Sequence, residues 1–334
     1  MKRKPTLKDV AFKAGVSIAT VSNTINNSKY VSEEIKEKIF RTIDDLNYIP
    51  NNLAKSLKIK ETHLIGLLIS DIANPFFPLV VRGIEDQLAE KGYNILLCET
   101  NSNAQREKEN LKVLLGRRVE GLIVSLAEGV EEHFKDIDTP IVFFNRVPIA
   151  NQYSKVCVDN FTAAYIAIEH LIVKHKYHPI GIIAGPQDLN VGRDRLIGYK
   201  QALVDYGNEV VSQYIKVTNF TMECGYQAMR ELMSLKKRPR AVFTSNNALT
   251  LGAVRYLKES GFKIPDEIAI IAYDDPDWAI IVDPPLTVVR YPMYEMGVRI
   301  GSMILDHVRQ KDHYAAQQVV FEPELMVRRS CGCN

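Results

Sequence analysis

The sequence has no apolar run long enough to cross a bilayer, for which a helix needs about 18–20 residues. It also lacks the apolar core of a signal peptide, because the basic residues Lys2 to Lys4 lead to Lys8 and Asp9. These absences predict a cytoplasmic protein without a membrane partner, and they argue against an exported transport-type binding protein.

Cysteine is scarce, and five scattered cysteines imply reduced side chains rather than a disulfide framework. Cys331 and Cys333 are separated by one glycine, but no histidine or cysteine stands at a ligand spacing nearby in the sequence. The spacings of His170, His175 and His178 suit a helix end and a strand start better than a ligand set. We therefore expect an exposed C-terminal segment and no metal site.

The sequence also lacks the local motifs of common α/β enzymes. It contains no Gly-x-Gly-x-x-Gly after an early strand, no Gly-x-x-x-x-Gly-Lys-Ser/Thr, no Gly-x-Ser-x-Gly and no His-Glu-x-x-His. A dehydrogenase or a sugar kinase stays the main alternative class, because an α/β fold alone does not fix a function. We expect no catalytic residue and no cofactor.

What is present suffices for two or three folded units, since 46% of the residues are hydrophobic and 25% are charged. The charge is divided unevenly. Residues 1–60 hold 12 Lys and Arg against 6 Asp and Glu, whereas the remaining residues hold 30 against 34. A basic segment gains affinity for a polyanion by releasing counterions from phosphates. The N-terminal segment is therefore the candidate for binding nucleic acid.

The start of this segment has the spacing of a helix-turn-helix. Thr6 is a suitable N-cap for a helix over 7–13, and Gly15 is suited to end it. Ser17 then caps a second short helix that turns Val21 inward. In such a motif the second helix projects its first turn into a major groove, while the first helix crosses the phosphate backbone.

The second helix leaves Ile18, Ala19, Ser22 and Asn23 on its other side. Ile18 and Ala19 offer apolar contacts to thymine methyl groups, and Asn23 can form two hydrogen bonds with an adenine edge. The alternative for Ile18 is an ordinary exposed apolar residue. The pattern predicts A·T pairs at these contacts.

A third helix begins at the Ser32 cap and ends at Asn47, with apolar residues at helical spacing: Ile35, Ile39, Ile43 and Leu46. The segment after it is too short to be a stable helix alone, because nucleation is costly, although Ala54 and Leu57 share one face. A plain linker is the alternative.

Several stretches of the N-terminal segment match one ordered pattern: Thr6-Leu-Lys-Asp-Val-Ala11, Ala14-Gly-Val-Ser-Ile-Ala-Thr-Val-Ser22, Asn26, Val31-Ser-Glu-Glu34, and Tyr48-Ile-Pro-Asn51 to Ala54-Lys-Ser-Leu57. They closely resemble the head and hinge of the lactose-repressor (LacI/GalR) family. The resemblance implies a homodimer that reads two half-sites of double-stranded operator DNA. It also implies paired hinge helices that fold in the central minor groove and wedge a leucine between base pairs, with Leu57 at the wedge position.

By the same matching, Ile18, Ala19 and Asn23 fall on base-reading positions. The phosphate-contacting positions are Thr6, Thr20, Asn26 and Ser32. The complete predicted DNA-binding set is Thr6, Ser17, Ile18, Ala19, Thr20, Ser22, Asn23, Asn26, Ser32, Asn51, Ala54 and Leu57. Many members of the family carry Arg or His where Asn23 stands, so the operator sequence is left open.

From residue 61 onward, apolar runs of strand length alternate with helix-length segments. The runs are 64–69, 93–98, 121–126, 140–144, 180–184, 241–244 and 268–273. Near-continuous apolar strands are typical of parallel sheets covered on both faces, so we predict a doubly wound α/β body. About ten strands are better divided between two similar subdomains than held in one sheet.

In open parallel sheets, ligands bind beyond the carboxyl ends of the strands. The residues at these ends are Ser70, Asp71, Asn145, Arg146, Gly185, Asn246, Asn247, Asp274 and Asp275. Carboxylates, amides and a guanidinium can pair with the hydroxyls of a polyhydroxylated ligand. The rings available to cover an apolar sugar face are Phe76, Phe77, Phe220 and Trp278.

The family resemblance continues to about residue 330, through Asp71-Ile-Ala-Asn-Pro-Phe-Phe77, Arg195-Leu-Ile-Gly-Tyr199, Tyr273-Asp-Asp275 and Glu295-Met-Gly297. It implies a helix-turn-helix domain over 1–50, a hinge over 51–60 and an effector-binding and dimerisation domain over 61–334. That last domain has two subdomains of the periplasmic-binding-protein type I fold, 61–160 plus 292–318 and 161–291 plus 319–330. The effector-binding positions are Ser70, Asp71, Phe77, Asn145, Asp159, Arg195, Phe220, Asn246 and Asp274, and Asn247 stands where Asp is more usual.

The pattern from Asn74-Pro-Phe-Phe77 through Asn219-Phe220 is most similar to the ribose-type repressors of the family. It implies a sugar effector and control of carbohydrate genes. Purine-binding members and members that answer to a phosphorylated partner protein share the scaffold and stay alternatives.

We expect the ligand to change the angle between the subdomains, alter the hinge spacing and release DNA. No heptad pattern follows residue 310, so no tetramerising helix is expected.

Overall fold

The computed structural model of the chain describes residues 5–26, 28–48, 62–129, 131–310 and 314–333. The chain divides into two compact units, residues 1–62 and residues 63–334. Within the described ranges, none of the helices combines the length and the apolar character that a membrane span requires.

The described residues of the N-terminal unit form three helices: α1 (Leu7–Ala14), α2 (Ile18–Asn26) and α3 (Glu33–Leu46). Thr6 and Asp9 form a capping box at the start of α1, and Gly15 ends the helix in the left-handed region at φ 65°. A small core holds the helices together, built on Val10, Ala11, Ala14, Val21 and Ile39. The predicted helix-turn-helix head is confirmed, with α1 one residue longer than expected.

The predicted hinge lies outside the described residues. Three predicted DNA-contacting residues fall within it, namely Asn51, Ala54 and Leu57.

In the described part of the C-terminal unit, the strands form two six-stranded sheets. The strands of the first sheet are β1 (Leu64–Ile69), β2 (Asn94–Glu99), β3 (Gly121–Val124), β4 (Ile141–Phe144), β5 (Ser154–Val158) and β11 (Gln318–Phe321). Those of the second are β6 (Ile180–Ala184), β7 (Ile215–Val217), β8 (Ala241–Thr244), β9 (Ala269–Tyr273), β10 (Thr287–Arg290) and β12 (Glu324–Met326). The strand orders are β11-β5-β4-β3-β1-β2 and β12-β10-β9-β8-β6-β7, and every neighbouring pair is parallel except β10 with β12. The prediction of parallel sheets is confirmed.

Helices cover both sheets: α4 (Phe76–Ala89), α5 (Ala104–Gly116), α6 (Asn160–His175), α7 (Asn190–Asp205), α8 (Met222–Met233), α9 (Asn247–Glu259), α10 (Trp278–Ile281) and α11 (Met293–Gln310). Short 3-10 helices occupy Glu132–Phe134 and Ser212–Tyr214. The central strands β3, β4, β6, β8 and β9 are buried along their whole length. Their continuous apolar sequences therefore reflect helices packed on both faces.

The chain passes from the first sheet to the second for the last time at a point that differs from the predicted boundary between residues 318 and 319. β11 pairs with β5 in parallel, from Gln318 opposite Lys155 to Phe321 opposite Val158, so the change follows Phe321. The pairing supplies hydrogen-bond partners for the outer edge of β5, which would otherwise be exposed.

Helices α4 and α11 approach so closely that their crossing depends on glycine. A Cβ atom added to Gly297 would lie 2.1 Å from the carbonyl oxygen of Val80. We expect Gly297→Ala to lower the free energy of unfolding by about 1–3 kcal/mol, because the two backbones must move apart. Urea unfolding of the purified chain measures this change. The control is Gly116→Ala at the end of α5, where nothing lies within 4 Å of the added atom. Equal stability of the two variants would contradict the steric argument.

Candidate functional site

The first turn of α2 presents the predicted DNA-contacting side chains at the surface. Ser17, Ile18 and Ala19 are exposed, with 44% of Ile18 accessible, whereas Thr20, Ser22 and Asn23 are half-buried. Ser17 Oγ accepts a hydrogen bond from the Thr20 backbone N–H at 3.0 Å, which caps the turn. The helix therefore offers a small, mostly apolar tip with hydroxyl groups at its edge.

Two asparagines of α2 are already engaged within the N-terminal unit. Asn23 Oδ1 accepts a hydrogen bond from Ser28 Oγ at 3.0 Å. Asn26 Nδ2 donates to the Ser22 carbonyl oxygen at 2.8 Å. An amide oxygen can accept two hydrogen bonds, so Asn23 can pair with an adenine edge while Oδ1 keeps its bond from Ser28.

The two predicted phosphate-contacting residues at helix starts differ in their engagement. Thr6 donates from its hydroxyl to the Asp9 carboxylate at 2.7 Å. Ser32 occupies the N-cap position of α3 but makes no side-chain hydrogen bond to that helix. Because the first N–H groups of a helix attract anions, Ser32 is the better placed of the two for a phosphate.

In the C-terminal unit, the carboxyl ends of both sheets surround one small cavity of about 30 Å³. Seven of the nine predicted effector-binding residues line it: Ser70, Phe77, Asn145, Arg195, Phe220, Asn246 and Asp274. Five further residues complete the lining, namely Asn74, Phe76, Arg146, Val191 and Tyr291. The rule that ligand sites lie beyond parallel strands therefore places most predicted residues together.

Asp274 stands at the centre of the polar part of this lining. Its Oδ1 accepts a hydrogen bond from the Tyr291 hydroxyl at 2.6 Å, and its Oδ2 accepts one from Asn247 Nδ2 at 3.1 Å. The residue has φ 74°, and Asn145 at the end of β4 has φ 57°. Asparagine and aspartate adopt left-handed backbone more readily than most other residues, so these two residue types suit the turns at the strand ends.

Arg195 crosses the floor of the cavity from α7. Its Nε donates to Asn160 Oδ1 at 2.8 Å, and an Nη donates to the Ser245 carbonyl oxygen. Its guanidinium carbon lies 3.4 Å from the centroid of the Tyr273 ring. Burial raises the pKa of the Tyr273 hydroxyl above its ordinary value, so this ring stays neutral beneath the cation.

Arg146 supplies a second buried cation on the opposite wall. It donates to Ser102 Oγ at 2.9 Å and to the Ala127 carbonyl oxygen at 3.2 Å. Burial lowers its pKa to about 10, so it keeps its charge at neutral pH. In the part of the chain that the structure describes, neither Arg146 nor Arg195 forms an ion pair. Neutral groups accept the hydrogen bonds of both cations, and the charges of Asp71 and Asp188 oppose the lowering of the pKa of Arg146. Both guanidiniums are suited to oxygen atoms of a ligand.

The Phe220 ring lies directly over Gly185, at the end of β6. A Cβ atom at residue 185 would lie 2.0 Å from the Cζ atom of Phe220. Glycine at this strand end therefore allows the ring to reach the cavity, where it faces the Arg146 guanidinium at 5.9 Å.

Direct hydrogen bonds join the two subdomains across the cavity. Asn247 Nδ2 donates to Asn74 Oδ1 at 2.8 Å, and Asn190 Nδ2 donates to the Asn145 carbonyl oxygen at 3.0 Å. Small-molecule sites are typically about 300–1,000 Å³, far larger than this cavity. The conformation is therefore a closed one, and a sugar-sized ligand requires side chains to move or the subdomains to open.

Two predicted effector-binding residues do not line the cavity. Asp159 is the N-cap of α6, and both of its carboxylate oxygens accept hydrogen bonds from Thr162, at 2.9 and 2.7 Å. Asp71 caps its own turn by accepting from the Ala73 backbone N–H at 2.9 Å. Trp278, which the sequence offered as a sugar-covering ring, does not line the cavity; it is half-buried and packs against the core of the second subdomain.

Comparison with known proteins matches both units. The pattern described as "Bacterial regulatory proteins, lacI family" matches residues 6–51. The pattern described as "Periplasmic binding proteins and sugar binding domain of LacI family" matches residues 62–322. The two matches follow the division of the chain into a head and a cleft-forming body.

Whole-length relatives agree with these matches. The ribose operon repressor of Escherichia coli (strain K12) is 36% identical, over 97% of this chain and 99% of the relative. The transcriptional repressor PurR of Photobacterium profundum is 32% identical, over 97% of this chain and 98% of the relative. Among solved structures, a lac repressor dimer bound to operator and the anti-inducer ONPF is 26% identical with a TM-score of 0.84, covering 98% of this chain and 99% of that one.

Proposed function

This chain belongs to the LacI family of bacterial regulatory proteins, and on that basis we propose that it represses carbohydrate genes as a homodimer on operator DNA, with a sugar in the cleft as the releasing signal. The head supplies the DNA contact through the first turn of α2, and the cavity supplies the effector site.

The observation that carries the sugar proposal is the grouping of Asp274, Arg195 and Asn246 with the Phe77 and Phe220 rings around one cavity. Each hydroxyl of a sugar both donates and accepts a hydrogen bond. A carboxylate accepts, a guanidinium donates and an amide does both, so these side chains can serve hydroxyls on neighbouring carbons. The rings can cover the apolar face that the hydroxyls leave.

Coupling to DNA follows from the closed cleft. A ligand that binds the open and closed forms unequally shifts the balance between them. The hydrogen bonds from Asn247 to Asn74 and from Asn190 to Asn145 join the subdomains in the closed form, so opening the cleft breaks them. We propose that the resulting change in subdomain angle reaches the two hinges of the dimer and lowers operator affinity.

A purine is the second candidate effector, and the aromatic lining favours it. Phe76, Phe77 and Phe220 present three rings to the cavity, and flat bases stack on such rings. The similarity to PurR points to the same alternative. The carboxylate and the two buried guanidiniums favour the sugar, because a hydroxyl-rich ligand uses more of the available charged groups.

We propose binding without catalysis. In the described part of the chain, the residues lining the cavity include no histidine, cysteine or lysine. The Asp274 carboxylate accepts hydrogen bonds from Tyr291 and Asn247, which supports a role in binding rather than as a general base.

The test is a thermal-shift screen of the purified chain against pentoses, hexoses, their phosphates and purines. A ligand present at a hundred times its Kd stabilises the folded form by about 2.7 kcal/mol, which gives a clear rise in melting temperature. The expected hit is a pentose such as D-ribose, and it is expected to weaken operator binding. A purine as the sole hit would overturn the sugar proposal, and a hit that tightens operator binding would overturn the proposed direction. Turnover of the hit would contradict binding without catalysis.

A further inference from the structure

Four potential metal ligands meet at the C-terminal end of α6, outside the lining of the cleft cavity. They are His170, His175, Cys331 and Cys333, and their ligand atoms all lie within 4.8 Å of one another. Cys333 Sγ lies 3.3 Å from His175 Nε2 and 3.7 Å from His170 Nε2. The expectation of an exposed segment here was wrong, because Cys331 is fully buried.

The segment that carries the cysteines is docked firmly on the second sheet. Ser330 Oγ accepts from the Thr287 backbone N–H at 2.8 Å and donates to the Ile270 carbonyl oxygen at 2.7 Å. Gly332 then adopts φ 102°, a backbone conformation that suits glycine. This turn between the two cysteines brings both sulfur atoms to the histidines of α6.

We propose that His170, His175, Cys331 and Cys333 form a tetrahedral Zn²⁺ site. Two thiolates and two imidazoles are a usual ligand set for structural zinc. With Zn–S near 2.3 Å and Zn–N near 2.0–2.1 Å, neighbouring ligand atoms of a tetrahedron lie about 3.3–3.8 Å apart. The two distances from Cys333 to the histidines already fall in that range. The other ligand atoms need to move by about an ångström or less to complete the tetrahedron.

Neighbouring side chains restrict two of these four ligands. The Tyr177 ring stacks on His175 at 5.1 Å between centroids with an interplanar angle of 12°. The guanidinium carbon of Arg240 lies over the Tyr177 ring, 4.9 Å from its centroid. Thr287 Oγ1 lies 2.9 Å from the Arg328 carbonyl oxygen and 3.1 Å from Cys331 Sγ, so its hydroxyl can turn to donate to a Cys331 thiolate.

Bound zinc would join the segment 328–333 to one end of α6. The other end of this helix begins at Asn160, whose Oδ1 accepts from Arg195 in the cleft. The ion would therefore hold fixed the helix that supports the cavity floor. This role does not depend on which ligand the cleft binds.

The experiment uses the full chain without a polyhistidine tag, reduced and freed of metal, and titrated anaerobically with Co²⁺ and then Zn²⁺. We expect one Co²⁺ per chain, with thiolate-to-cobalt charge-transfer bands and the intense visible bands of tetrahedral Co²⁺, all lost when Zn²⁺ displaces the ion. Zinc is also expected to raise the melting temperature, because a metal that binds only the folded form stabilises it.

Cys333→Ser and His175→Gln are the informative variants, since both side chains are only half-buried and their loss leaves the core intact. Each is expected to weaken Co²⁺ binding more than about 100-fold and to abolish the charge-transfer bands or shift them. The matched controls are Cys224→Ser on α8 and His178→Gln, an exposed neighbour of the cluster, which should bind Co²⁺ as the unaltered chain does. A reduced chain that gives no tetrahedral Co²⁺ spectrum, or a Cys333→Ser variant with an unchanged spectrum, would overturn the proposal.

Discussion

Asp274→Asn is expected to weaken effector binding at least tenfold and to leave operator affinity in the absence of effector unchanged. The carboxylate lines the cavity and already binds two buried partners, Tyr291 and Asn247. A hydrogen bond to a charged group contributes about 1.5–3 kcal/mol, so losing the charge removes the strongest acceptor offered to a ligand hydroxyl. Asparagine tolerates the left-handed backbone of this position, so the variant tests the charge rather than the fold.

The measurement is isothermal titration of the variant with the strongest hit of the sugar and purine screen, together with operator binding at fixed salt. Asp277→Asn is the matched control, because Asp277 is exposed and lies outside the cavity lining. Asp274→Ala should be at least as defective, since it also leaves the Tyr291 hydroxyl without its acceptor. Effector affinity that is equal in Asp274→Asn and Asp277→Asn would place the effector elsewhere.

The elements that sequence patterns predicted are those whose signals are local. The head follows from Thr6, Gly15 and the helical spacing around Val21, all within a few residues of one another. The central strands follow from continuous apolar runs, because they are covered on both faces. The strands that were not predicted are short or mixed: β5 carries a lysine, and the edge strands β7, β11 and β12 are partly exposed.

The cleft was predictable only in part, for a similar reason. Residues directly after recognised strands, such as Ser70 and Asn145, were found by the strand-end rule. Tyr291 obeys the same rule but follows β10, a strand that the apolar runs did not reveal. Asn74 faces Asn247 across 173 positions of sequence, and no local pattern encodes such a pair.

The cysteine and histidine cluster shows the same limit more sharply. Metal-site patterns rely on ligands that are close in sequence, but Cys333 and His175 are 158 positions apart. The long separation is closed by β12 and the docking of Ser330 on the second sheet, which only the fold reveals. Asp159 illustrates the reverse case, in which family position indicates a ligand contact and the local structure uses the carboxylate as a helix cap.

Leu57→Ala is expected to weaken operator binding tenfold or more, about 1.4 kcal/mol, and to reduce the bend of the bound DNA. Leu57 lies outside the described residues, and its proposed role rests on the resemblance of the stretch Tyr48 to Leu57 to the hinge of the family. A wedging side chain separates two stacked base pairs at a cost of a few kcal/mol, which the contacts of the bent DNA offset. Alanine is too small to hold the step open, so the bent form loses its support.

The bend is measured by energy transfer between dyes at the two ends of a short operator, and the affinity by anisotropy at several salt concentrations. Leu57→Met keeps nearly the same volume and is expected to bind and bend as leucine does. The salt dependence should stay the same in both variants, because no phosphate contact is lost. Effector affinity measured without DNA should also be unchanged, because linkage couples effector binding to operator binding only when DNA is present. A Leu57→Ala protein that still bends the operator fully would remove the hinge wedge from the mechanism and leave the head alone responsible for operator affinity.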